Sequence, residues 1–169
     1  VISQVYGGGG NSGATYTHDF VELFNRSAVS VSLSGWSVQY VSAAGAGTWA
    51  VTPLTGSIAP GGYYLVQQAA GAAGTVPLPA ADAIGSIPMA AGAGKVALRN
   101  TATAFSGACP AVGAAADLVG YGGASCFEGA GPAPALSATL AAFRKRGGCF
   151  DSNVNAVDFS TNAPAPRNS

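Results

Sequence analysis

Hydrophobic and polar residues alternate with period two in seven short stretches: Val1 to Tyr6, Asp19 to Asn25, Val31 to Tyr40, Tyr63 to Gln68, Lys95 to Asn100, Asp117 to Tyr121 and Val157 to Ser160. Successive side chains of an extended chain point to opposite faces, so this period predicts strands. The Gly, Pro, Asn or Ser bounding each stretch predicts the turns. In the third stretch Val31 and Leu33 follow one phase, and Trp36, Val38 and Tyr40 the other. The change falls at Gly35, which predicts a bulge or sharp bend that re-aims Trp36 into the core. No long amphipathic helix interrupts the series, and about seven to nine such strands predict an all-β fold, an antiparallel immunoglobulin-like β-sandwich.

The length of 169 residues suits one domain, and nothing divides it, so residues 1–169 are read as a single unit. Gly 25 and Pro 10 fall between recurring valines, leucines and aromatics, as turns punctuating strands. The Ala/Gly-rich segments Ala69 to Ala83 and Gly129 to Ala135 read as long surface connections. No apolar run approaches the ~20 residues of a membrane span. The chain starts at Val1 and its only methionine is Met89, so an initiator and an export signal are expected to have been removed. With three cysteines, this favours an oxidising, extracellular setting, secreted or at a cell surface.

Charge changes the picture most. Seven acids and seven bases cancel, so no overall field draws the chain to nucleic acid or anionic lipid. Charged residues make up only 8%, against about 25% in an average soluble domain. A surface so poor in charge is expected to be covered by something else.

Several motifs reduce to plain structure. Gly8-Gly9-Gly10-Asn11-Ser12-Gly13 has dinucleotide-loop spacing, but a strand-like stretch follows where the phosphate-binding helix would have to open, so it reads as a glycine-rich turn. His18 is the only histidine, with no nucleophile elbow in the chain, and reads as a strand-edge residue. Neither zinc-ligand spacing, C-x-x-C or H-x-x-x-H, occurs. Asp19 and Glu22 are three apart and fall on opposite faces of a strand, so they cannot flank one bond unaided. A core-facing Glu22 would need a cation, for which Arg144 is the candidate. Asn25-Arg26-Ser27 is a glycosylation sequon. Arg144-Lys145-Arg146 reads as a solvated strand end that discourages unwanted pairing.

Asp151, Asn153, Asn155 and Asp158 are different. They offer hard oxygen ligands at near-alternate positions of a turn-rich loop, the chemistry calcium takes, although the Gly and Glu of an EF-hand are missing. Asx turns explain the same residues without a metal. No cofactor is required; calcium is the one ion the sequence suggests.

The opening block VISQVYGGGGNSGATYTHDFVELFN resembles the lamin-tail domain of secreted bacterial proteins. The resemblance continues through Leu33-Ser34-Gly35-Trp36, Ile58-Ala59-Pro60-Gly61-Gly62-Tyr63-Tyr64-Leu65-Val66, Asp117-Leu118-Val119-Gly120-Tyr121-Gly122, Cys126-Phe127-Glu128-Gly129 and the block from Gly147 to Ser169. It implies a sandwich that does without the cysteine–tryptophan–cysteine pattern of antibody domains, and a strand rather than a helix at Ala138 to Lys145. The family serves attachment and assembly, sometimes joined to nucleases or phosphatases. Three cysteine pairings are open. Cys126 and Cys149 both lie in the motifs of the resemblance and flank the Ala/Pro-rich connection, so they are the expected disulfide, leaving Cys109 over.

These readings lead to a non-catalytic, secreted structural protein, a self-associating subunit of an extracellular filament or surface layer. The charge-free strand Val1 to Tyr6 is the expected contact. The chain is expected to end where the domain ends, with no attached enzyme. The alternative is an adhesion or targeting module that binds a cell-surface polymer or an enzyme partner. A small hydrolase using His18, Asp19 and Glu22 ranks third.

Overall fold

Every alternating stretch contains a strand, a further strand lies within Ala138 to Lys145 where the resemblance implied one, and three more short strands complete the set. The computed structural model describes residues 1–169. Its strands are β1 (Ile2–Tyr6), β2 (His18–Phe24), β3 (Val31–Ser32), β4 (Ser37–Ser42), β5 (Ala50–Pro53), β6 (Ser57–Ile58), β7 (Tyr63–Ala70), β8 (Ala83–Ile84), β9 (Gly94–Arg99), β10 (Asp117–Tyr121), β11 (Ala141–Arg144) and β12 (Phe159–Asn162). A single helical turn, α1 (Asn155–Asp158), precedes β12.

A six-stranded sheet in the order β12-β11-β1-β2-β7-β8 packs over a four-stranded sheet in the order β10-β9-β4-β5, and β3 pairs with β6 at one side. All pairings between neighbouring strands are antiparallel except β7 with β8. This is the immunoglobulin-like sandwich expected from the period-two pattern. The core between the sheets takes Val21 and Leu23 from the larger one and Val38, Val96 and Val119 from the smaller.

The outer faces are covered as well. Tyr6, Phe20 and Leu65 lie under Tyr16, Leu78 and Ala81 on one side, while Trp49, Ala97, Phe105 and Leu118 cluster on the other. Strands such as Ile2–Tyr6 and Asp117–Tyr121 are therefore buried on both faces. The segment from Ala69 to Ala83 is accordingly a cover on the sheet rather than a free connection. Its Gly71 passes so close to Gly10 that a Cβ on Gly10 would lie 2.2 Å from Gly71 backbone, which only glycine permits.

The sharp bend expected at Gly35 is present, and one other expectation changes locally. At Gly35 (φ +83°) the chain makes a full turn, Trp36 N–H donating to Leu33 C=O at 2.9 Å, and passes from the β3–β6 pair into the four-stranded sheet. Trp36 does pack against the core, half-buried. The last predicted strand starts too early: Val157 lies in α1 and β12 begins at Phe159. The Asp158 carboxylate accepts the backbone N–H groups of Ser152 and Val154, winding the chain into a turn before it can extend.

The expectation that β1 is a free edge is overturned. It lies inside the larger sheet, hydrogen-bonded between β2 and β11.

Candidate functional site

Of the residues singled out from the sequence, Arg144, Asp151 and Asp158 meet at the end of β11, in a different arrangement from the expected one. Arg144 ends β11 and turns inward, fully enclosed. Its Nη2 donates to both oxygens of Asp117 at 2.8 Å, its Nη1 to Asp151 Oδ1 at 2.7 Å and Asp158 Oδ2 at 3.5 Å, and its Nε to the Ile2 carbonyl at 2.8 Å. Its guanidinium also lies 4.6 Å from the centre of the Phe159 ring. Asp117 accepts the Ile2 N–H at 2.6 Å as well. Because Asp117 belongs to the four-stranded sheet, this buried group ties the two layers together.

The proposed calcium set does not fit a metal. Asp151 is shared by Arg144 and Arg26, the latter at 2.9 Å, and Asp158 is filled by Arg144, Ser152 and Val154. Asn153 is exposed, in a left-handed conformation (φ 56°). Asn155 points elsewhere: its Oδ1 accepts Gly120 N–H at 2.9 Å and Glu128 N–H at 3.2 Å, while its Nδ2 donates to the Leu118 carbonyl. The Arg144 guanidinium thus holds the two carboxylates, and the Asn155 amide is committed to other partners.

Other assignments are corrected on the same ground. Glu22 does not meet Arg144; it lies on the outer face of β2 and pairs with Arg167 at 2.7 Å, with Ser3 and Gln4 alongside. Arg144-Lys145-Arg146 is no single basic edge, since Arg144 is buried while Lys145 and Arg146 are exposed. The sequon asparagine is turned inward, Asn25 Nδ2 donating to the carbonyls of Val29, Ile58 and Ala59. The disulfide joins Cys109 to Cys126, not Cys126 to Cys149, and Cys149 is a free, exposed thiol. Cys126 packs with Trp49, Ala97 and Phe105 on the outer face of the smaller sheet, where Cys109 arrives on the covering loop.

His18, Asp19 and Glu22 do not converge. His18 Nδ1 lies 2.8 Å from Thr17 Oγ1, and Asp19 accepts N–H groups from Gly9 and Met89 at 2.9 Å each. Burial outweighs those two bonds and raises the Asp19 carboxyl to about 7. Glu128, beside Asn155, is raised to about 7 by burial and by the nearby charges of Asp117 and Asp151.

The model of the Lamin Tail Domain family matches residues 1–123. The chain belongs to the lamin tail domain family. Among curated proteins and among solved structures, nothing matches it. In this lamin-tail chain the resemblance read from Cys126-Phe127-Glu128-Gly129 and the C-terminal block falls beyond the matched residues. The sequence reading also missed Asp117 and Arg167. Each is a charge placed among apolar or proline-rich residues, a signal that only a count of buried ion partners would have used.

The site's surface consequence is a withdrawal of charge. Asp19, Glu22, Lys95, Asp117, Arg144 and Asp158 are buried. The remaining acids, Asp82, Glu128 and Asp151, are half-buried, and the exposed charged residues are Arg26, Lys145 and Arg146, all cations.

Proposed function

We propose that this lamin-tail domain is a non-catalytic extracellular assembly module whose copies join through the open edges of the six-stranded sheet. The observation that carries this reading is a bare sheet edge on a surface that exposes only three charged side chains in all. Strand β12 has no strand on its outer side, and its Ser160, Thr161 and Asn162 bring neither charge nor proline. Natural sheets usually guard such edges with lysine, proline or a cover. At the other end of the same sheet, β8 carries Ile84, 73% exposed. Unlike edges at opposite ends of one sheet suit head-to-tail addition, which leads to open chains rather than closed dimers.

The smaller sheet is better protected. Its β10 edge is met by Ala133, which bridges to Tyr121, and by the Asn155 side chain. Sedimentation over a concentration series tests the reading. Large species are expected for the wild type and loss of them for Ser160→Lys and for Ile84→Lys, both exposed positions that leave the core intact. A wild type that stays monomeric at high concentration rejects self-assembly.

A further inference from the structure

Next to the β12 edge runs a groove of different chemistry, about 610 Å³, formed by the ends of β11 and β12 and the chain from Ala165 to Arg167. Its wall is fixed in place: Ala165 N–H donates to Gln4 Oε1, Gln4 Nε2 donates back to Ala165, and Arg167 is clamped by Glu22 and stacks on Tyr63. Lys145 and Arg146 stand exposed at one end, Ser160 and Asn162 line the edge side, and Phe143 and Tyr16 supply aromatic surface. The acid nearest this wall, Glu22, is fully buried and neutralised by Arg167, so the groove presents positive charge alone.

We propose that this groove binds an anionic polysaccharide, a chain bearing carboxylates or sulfates. A second copy is a poor source of the anion, because four of its seven acidic side chains are buried and the other three only half-exposed. Nucleic acid is a poor match, since its charge density calls for a row of phosphate contacts and the groove has two exposed cations without an acid partner. Hydroxyl and amide side chains beside an aromatic surface suit sugar rings, whose faces are apolar and whose rims are hydroxyls. The groove uses side chains on the sheet face, whereas the self-association proposed above uses the backbone edge of β12, so the two can operate together.

The test is calorimetric titration of the full chain with polygalacturonate, with polyglutamate and with uncharged dextran, at low and high salt. Expected are binding of polygalacturonate that weakens steeply with salt, no binding of dextran, and weaker binding of polyglutamate. Lys145→Gln with Arg146→Gln should lower polygalacturonate affinity about tenfold, the order expected for two exposed charge contacts. Ser160→Ala should lower it by about threefold, for one hydrogen bond. Equal binding of polyglutamate would assign the site to acidic peptides and overturn the proposal. So would unchanged binding by the double variant, or no binding of polygalacturonate. Sedimentation of the double variant should match the wild type, which separates failure of the groove from failure of the assembly reading.

Discussion

Arg144 and Asp117 face each other across the sandwich through two hydrogen bonds of 2.8 Å, one residue on each sheet and both shut off from solvent. Antibody domains join their layers with a disulfide; here an ion pair does so, and Ile2 is drawn into it through both its N–H and its carbonyl. A buried pair of this kind adds little over well-packed apolar residues, but breaking it leaves uncompensated charge inside.

Arg144→Met should therefore destabilise the fold by about 3–5 kcal/mol, because Asp117 and Asp158 lose their cation and Asp151 keeps only Arg26. Urea unfolding measures this. A loss below about 1 kcal/mol would mean that the acids find other partners or take up protons cheaply.

Calcium should bind the variant and not the wild type. With that guanidinium gone, three carboxylates remain gathered with only Arg26, on Asp151, to offset them, and a divalent ion can take its place. The thermal midpoint of Arg144→Met is expected to rise on adding calcium, while that of the wild type stays put. A shift in the wild type would restore the metal reading of the Asp151 to Asp158 loop.

Stability should increase as pH falls from 8 towards 5, the reverse of most carboxylate effects. Asp19 and Glu128 titrate near 7 in the folded chain, against ordinary values of 3.8 and 4.5. Between those limits the folded chain binds more protons than the unfolded one, so each step down in pH favours folding. Glu128→Gln should flatten the slope in part and leave the share of Asp19. Thermal midpoints in a buffer series decide it; a maximum at pH 8 would contradict the burial assigned to both groups.

Cys109→Ser should cost about 3 kcal/mol, from the chain entropy of a loop of this size, while Cys149→Ser should be silent. Non-reducing peptide mapping should recover Cys109 linked to Cys126 and Cys149 as a free thiol. Recovery of Cys126 linked to Cys149 would return the pairing to the one the motifs suggested.

The fold was legible because its signal is local. Alternation at Tyr63 to Gln68 or Asp117 to Tyr121 follows from which face of a strand is buried, and needs no knowledge of the partner strand. Two-residue strands such as β6 and β8 are too short for a period to register. The site was less legible because it is made of long-range pairs. Glu22 and Arg167 lie at opposite ends of the chain, and Asp151 and Asp158 have metal-like spacing whether the cation is an ion or an arginine from β11. Spacing specifies which oxygens are near each other; it does not specify what they surround. Cys109 and Cys149 were equally ambiguous, since either covering loop could have reached Cys126.

The place of β11 bears on how a fragment of this protein should be cut. The family match stops at residue 123, yet β1, at the start of that segment, hydrogen-bonds on one side to β11, which lies well outside it. A chain trimmed to the matched residues would leave β1 with a raw, apolar flank and Asp117 without Arg144, and it should aggregate for reasons unrelated to the assembly of the intact protein. The boundary drawn by sequence similarity and the boundary of the folding unit are different lines, and experiments on isolated pieces need the second.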